Sequence, residues 1–262
     1  MTVNHWSLVR AQLGEPNFII MAARLFNPDS KDPFTLSRSR VDNFLECARC
    51  FYLTNKLGIA RPSTFPFNLN NAVDELLKNE FDFYREKQEP HPIQKENNLN
   101  AVPYQHPELD NWRESLRNGI KRIHEPTNLI LRGGIDDVWI DCETDQLLVV
   151  DYKATSKKGE VSIDADWQIS YKKQVEFYQW LFRGNSFDVS DTAYFVYCNG
   201  IKDKPEFRNR LEFKVKLIAY TGSDKWVEPT LNAIKECLLR KNPPEPSENC
   251  SYCNYVNKSL SF

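Results

Sequence analysis

The sequence predicts an α/β chain, a sandwich of helices around one mixed β-sheet. Two observations carry this. Three strand-like stretches follow one another between residues 128 and 152, and helical periodicity brackets them on both sides. Residues 1–35 have weak periodicity and a polar, proline-containing end, and are expected to be an extension. Their apolar patch, Phe18–Ala23, is too short for a signal peptide, and Met21 is an alternative start. The segment TLSRSRVDNFLECARCFYL (35–53) predicts a helix with Val41, Phe44, Leu45, Ala48 and Phe51 on one stripe, capped by Ser37 or Ser39. A second helix is expected over 70–86 on Val73, Leu76, Leu77, Phe81 and Tyr84. Residues 88–110, rich in Pro, His and Asn, predict a long loop, with a short helix near 110–120.

Strands are expected at Asn128–Arg132, Ile135–Asp141 and Gln146–Tyr152, then an aromatic-rich helix over 163–183. Further strands fall at Thr192–Cys198 and Leu211–Leu217, and a helix at about 225–239. The ordered part is expected to be one domain, residues 36–256.

Composition excludes some classes. Net charge is −2 from 34 basic and 36 acidic side chains, so a globally basic nucleic-acid coat is excluded and any phosphate-binding surface is local. No apolar run could span a bilayer. Seven cysteines without a secretory start imply a reducing compartment, the cytoplasm.

The chemistry-bearing segment is RGGIDDVW (132–139) followed by LLVVDYKAT (147–155). Strand alternation sends Asp151 and Lys153 to one face and Tyr152 to the other, with Leu148 and Val150. Asp136 and Asp151, from adjacent strands, offer oxygen ligands to a hard cation such as Mg2+ or Mn2+. Lys153 could orient the attacking water or stabilise charge on a phosphate. A hairpin with solvated charges is the bland alternative. On the 163–183 helix, Gln174 shares a face with Tyr171 and Tyr178, so the amide needs a partner.

At these residues the chain resembles the RecB-like branch of the PD-(D/E)XK nucleases. GGIDDVW matches the family's G-x-I-D segment, VVDYKAT its (D/E)-x-K strand, and Gln174 and Tyr178 its Q-x-x-x-Y helix. The segment from Ser37 to Cys47 matches its N-terminal S-x-S-x-(L/V)-x-x-F-x-x-C helix, and NCSYCNY its C-terminal cysteine segment. The resemblance implies a restriction-endonuclease-like α/β/α fold and metal-dependent phosphodiester hydrolysis, exonuclease-like on DNA, in repair, recombination or defence. Its catalytic set here is Asp136, Asp151, Lys153, Gln174 and Tyr178, and it brings Tyr152 into the metal site. A helicase or other DNA-processing partner is left open.

One position departs from the family. Where a histidine is usual, NNAVDELLK carries Asp74. Asp74 shares a helical face with Leu77 and Phe81, while Glu75 and Lys78 are expected to point outward. An inward aspartate calls for a metal or a partner, so Asp74 is read as a third carboxylate ligand, with a buried salt bridge or helix cap as its rival. The departure also admits a catalytically inactive nucleic-acid-binding module. A third reading is a metal-stapled interaction protein.

Cys47-x2-Cys50 and Cys250-x2-Cys253 make two pairs with metal-ligand spacing. Cys47 and Cys50 are expected on one helix. By resemblance the site holds [4Fe–4S], and by spacing Zn2+ is the alternative. Cys142, Cys198 and Cys237 are expected to pack as small hydrophobes, and the four histidines form no ligand set. Candidate nucleic-acid contacts are Arg38, Arg40, Lys157, Lys158, Arg208 and Arg210. A solvated surface is an equal reading of each.

Overall fold

The computed structural model describes residues 24–62 and 67–261. The sequence readings on Phe18–Ala23 and Met21 lie outside the described residues. In chain order the elements are β1 (Phe34–Ser37), α1 (Arg38–Glu46), α2 (Ala48–Leu57), α3 (Asn68–Lys87) and α4 (Pro92–Glu96). Then come β2 (Ala101–Pro103), α5 (Leu109–Arg113), β3 (Ile120–His124), β4 (Leu129–Gly133), β5 (Asp137–Asp141) and β6 (Leu147–Thr155). The chain continues with α6 (Ile169–Gly184), β7 (Thr192–Gly200), β8 (Phe213–Thr221), α7 (Val227–Leu239) and α8 (Ser251–Ser259).

The main sheet has the order β2-β5-β6-β7-β8 and is mixed. Strands β5 and β6 form an antiparallel hairpin, while β6 and β7 run parallel with α6 as their crossover. Strand β6 is therefore central, and its first six residues are all buried. Alternation gives each sheet face its own core. Val149 faces the cluster with Val175, Phe177 and Leu181 of α6. Leu148, Val150 and Tyr152 face Leu77 and Phe81 of α3. Helices thus cover both faces, the α/β/α arrangement expected.

The expectation of a single sheet fails. Strands β1, β4 and β3 form a separate three-stranded sheet, with β1 parallel to β4. The chain leaves it at Gly133 and Gly134, which close contacts demand. A Cβ on Gly133 would lie 2.5 Å from the Tyr178 ring, and one on Gly134 would lie 2.7 Å from the Ser115 backbone. Asp136 consequently sits in the connection ahead of β5 rather than inside a strand. The described part of the expected N-terminal extension is integral: Phe26 and Phe34 are buried in the core and β1 begins at Phe34. The expected loop over 88–110 contains α4 and β2. Among the described residues, no helix is long and apolar enough to cross a membrane.

Candidate active site

Strand alternation on β6 places Asp151 and Lys153 on the α6 side of the sheet. Asp151 is fully buried, and its carboxylate pairs with the Lys153 ammonium. Apart from that ammonium, neither of its oxygens has a hydrogen-bond partner among the described residues. A fully buried carboxylate whose one partner is an ammonium keeps acceptor capacity that a metal cation would fill. Asp136 stands beside it: its Oδ2 accepts the Tyr152 backbone N–H at 2.8 Å. Burial, then the Asp151 charge, pushes the Asp136 carboxyl up to about 6. An Asp136 carboxyl whose charge Asp151 disfavours, beside an Asp151 with only one ammonium for a partner, is what an oxygen-seeking divalent cation would satisfy.

Helix α6 supplies the support for Lys153. Its Nζ donates to Gln174 Oε1 at 3.3 Å and lies 4.6 Å from the centre of the Tyr171 ring. Gln174 Nε2 in turn donates to the Tyr178 hydroxyl at 3.3 Å. The amide is thus used at both ends, which fixes its orientation. Burial opposes the Lys153 charge, but Asp151 and Asp136 hold its pKa above the ordinary lysine value. Arg38, at the start of α1, pairs with Asp42. Burial opposes its charge too, while Tyr178, Asp42, Asp151 and Asp136 around it keep it firmly cationic.

Asp74 lines the same cleft, of about 380 Å³, with Asp136, Lys153 and Gln174. It accepts a 2.6 Å ion pair from Lys78, which also lines the cleft instead of pointing outward as expected. Among the described residues, the only group of three or more His, Cys, Asp or Glu side chains close enough to share an ion is a set of cysteines. Asp74, Asp136 and Asp151 are therefore not drawn together to ligand spacing. Burial and the Asp136 charge raise the Asp74 pKa against the pull of Lys78.

Tyr152 packs with Leu77 and Phe81 on the other face of the sheet, and its hydroxyl donates to Asp137 Oδ2 at 2.8 Å. Asp137, which sequence reasoning passed over, is the hub of a buried network under the site. It pairs with Arg85, accepts from Arg113 Nη2 at 3.0 Å, and accepts from Trp139 Nε1 at 3.2 Å. Arg113 also holds Asp82 through both carboxylate oxygens and donates to the Asp136 backbone carbonyl at 3.2 Å. A signal was present. Asp137 and Trp139 share a strand face, and an aspartate beside an inward tryptophan must be paired.

Of the other basic candidates, Arg40 is held by Asn55 Oδ1 at 2.6 Å and shares a small pocket with Arg132. Lys157 and Lys158 are exposed just past β6. Arg208 pairs with Glu206, and Arg210 lies 3.3 Å from Glu212, so the 202–216 segment largely neutralises itself. A cleft of about 470 Å³ at that segment is lined by residues between Ile201 and Glu212 and by none of Asp74, Asp136 and Asp151.

The four cysteines converge. Cys47 lies in an extended residue between α1 and α2, so the expected single helix is broken there, and Cys50 follows on α2. Cys250 precedes α8 and Cys253 lies within it. All four are buried, with Sγ atoms within 4.8 Å of one another. Cys198 and Cys237 are buried as expected, whereas Cys142 is exposed.

No curated protein matches the chain. A family model of the PD-(D/E)XK nuclease superfamily matches residues 126–257. The match runs from β4 through α8 and takes in Asp136, Asp151, Lys153, Gln174 and Tyr178, as well as Cys250 and Cys253. It stops short of Asp74, Cys47 and Cys50. The matched span is just over half of the 262 residues, and it contains the hairpin and crossover helix that build the carboxylate cleft. The chain belongs to the PD-(D/E)XK nuclease superfamily.

Proposed function

We propose that the chain is a Mg2+- or Mn2+-dependent deoxyribonuclease of the RecB-like branch, acting exonuclease-like on DNA. The observation that carries this reading is the Asp151 carboxylate, fully buried beside Asp136 with the Lys153 ammonium as its one partner among the described residues. The branch rests on the five motifs in family order between Ser37 and Tyr255.

Asp136 and Asp151 would hold the cation, and Mg2+ keeps several waters of its own, so two protein carboxylates suffice. When bound, the cation supplies charge neutralisation at the phosphate and acidifies a water. Lys153 places an ammonium at the floor of the cleft, where negative charge develops on the phosphate. Gln174 and Tyr171 keep that ammonium from swinging out. Arg38 offers a second cation for a neighbouring phosphate, with Arg40, Lys157 and Lys158 farther out along the strand path. Asp74 would act on the cation through a water, since Lys78 already occupies it.

The test is degradation of end-labelled linear DNA, single- and double-stranded, with Mg2+ or Mn2+ and with EDTA. Cleavage is expected with metal and absent with EDTA, and Lys153→Ala is expected to lose about a hundredfold or more. Metal-independent cleavage, or none by the parent protein, would sink the reading. Asp74→Ala separates the inner from the outer carboxylates. A water-mediated role predicts a loss of only about 10–100-fold, as for residues one shell beyond a metal. A second reading, an inactive DNA-binding module, draws on the Asp74–Lys78 pair where the family carries a histidine. It predicts DNA retention in a filter-binding assay with no cleavage under any metal.

A further inference from the structure

We infer that the four cysteines hold one tetrahedral ion, zinc, and not the iron–sulfur cubane that the motif resemblance implies. This stands apart from the nuclease reading. Cys47 Sγ lies 3.8 Å from Cys253 Sγ, and Cys50 Sγ lies 3.6 Å from both Cys250 Sγ and Cys253 Sγ. Four thiolates at about 2.3 Å from a central zinc, at tetrahedral angles, are about 3.8 Å apart. With every sulfur pair within 4.8 Å, all four sulfurs fall within about 2.9 Å of a common centre. A cubane gives each thiolate its own iron at a separate corner. Subtracting one metal–thiolate bond of about 2.3 Å leaves under about 1 Å for four irons and their bridging sulfides, which is no room at all.

The ligand pattern agrees. Two C-x2-C pairs are a zinc spacing, and all four sulfurs are buried, so the site is closed and structural. Arg61 Nη2 approaches Cys250 Sγ at 3.8 Å while its guanidinium rests on the Tyr252 ring, 4.6 Å from its centre. That cation offsets the excess negative charge of four thiolates on a divalent ion. The ion would join residues 200 positions apart, Cys50 and Cys250, and so pin α8 onto the α1–α2 junction. The Tyr52 hydroxyl, which donates to the Arg240 and Lys241 carbonyls at 3.1 Å, braces the same approach.

The chain should be expressed with iron and zinc both supplied, purified anaerobically, and assayed for metals and acid-labile sulfide. About one zinc per chain, a colourless solution and no sulfide are expected. Exchange with Co2+ should then give the intense visible spectrum of a tetrahedral thiolate site. A brown protein with about four irons and four sulfides per chain would overturn the inference, and so would a metal-free chain whose seven thiols all titrate. Cys253→Ser should lose the zinc, while Cys142→Ser should retain it. If Cys253→Ser does not fold, Arg61→Ala serves instead: it leaves all four ligands in place and should release zinc to a competing chelator about 10–100-fold more readily. Unchanged zinc retention in Arg61→Ala and in a folded Cys253→Ser would also count against it.

Discussion

Asp151→Asn is expected to cut metal-dependent DNA cleavage by about a thousandfold or more while leaving the fold intact. The substitution keeps the shape of a fully buried side chain and removes its charge. A catalytic cation contributes several kcal/mol of charge stabilisation, and each ~1.4 kcal/mol is a factor of ten in rate. Lys153 is the one partner of the Asp151 oxygens among the described residues, and an ammonium cannot replace a lost anionic ligand. Metal binding should show the same loss without any assay of cleavage. A ligand at a hundred times its Kd adds about 2.7 kcal/mol to stability, which the parent should show as a Mn2+-dependent rise in Tm. The variant should melt at the same temperature with and without Mn2+. Cleavage by Asp151→Asn within tenfold of the parent would show that the cation is held elsewhere.

Strand β6 was legible because LLVVDYK is an apolar run that ends abruptly in charge, the mark of a buried strand arriving at a site. Helices α3 and α6 were legible because their apolar residues keep a 3.6-residue period over 16 residues or more. What escaped depends on partners distant in the chain. The four residues of β1 are a strand only because β4, more than ninety positions later, runs beside them. The break at Cys47 is invisible to periodicity, since LECARCF would continue a helix; convergence with Cys250 and Cys253 explains why it stops there. Strand β2 hides in a Pro- and Asn-rich stretch because it is three residues long on a sheet edge. A salt bridge was the rival reading of Asp74, and the outward direction expected for Lys78 fails for a different reason. Residues i and i+4 share a helical face, so Lys78 had to lie beside Asp74.

Asp137→Ala is expected to cost about 3–5 kcal/mol, the range for removing one partner of a buried ion pair. That is a large share of the ~5–15 kcal/mol that holds a domain folded. The reason lies in what remains. Arg85 is 5% exposed, and without Asp137 its guanidinium keeps only the partly exposed Asp82 as a counter-charge. The Tyr152 hydroxyl and the Trp139 indole N–H lose their acceptor together. Burial, then the Asp137 charge, keeps the Tyr152 phenol well above its ordinary pKa, so it stays protonated and must donate. For a domain of this size a loss of about 3 kcal/mol lowers Tm by roughly 6–12 °C, readable by thermal or urea unfolding. Asp137→Asn, which retains an acceptor oxygen but not the charge, should fall between the parent and the alanine variant. Because Arg113 bridges Asp137 to the Asp136 backbone carbonyl, the alanine variant should also cleave DNA more slowly at temperatures where it is fully folded. A double-mutant cycle with Arg113→Ala measures that link directly, and strict additivity of the two losses would mean that the buried network carries stability alone and does not position the carboxylate above it.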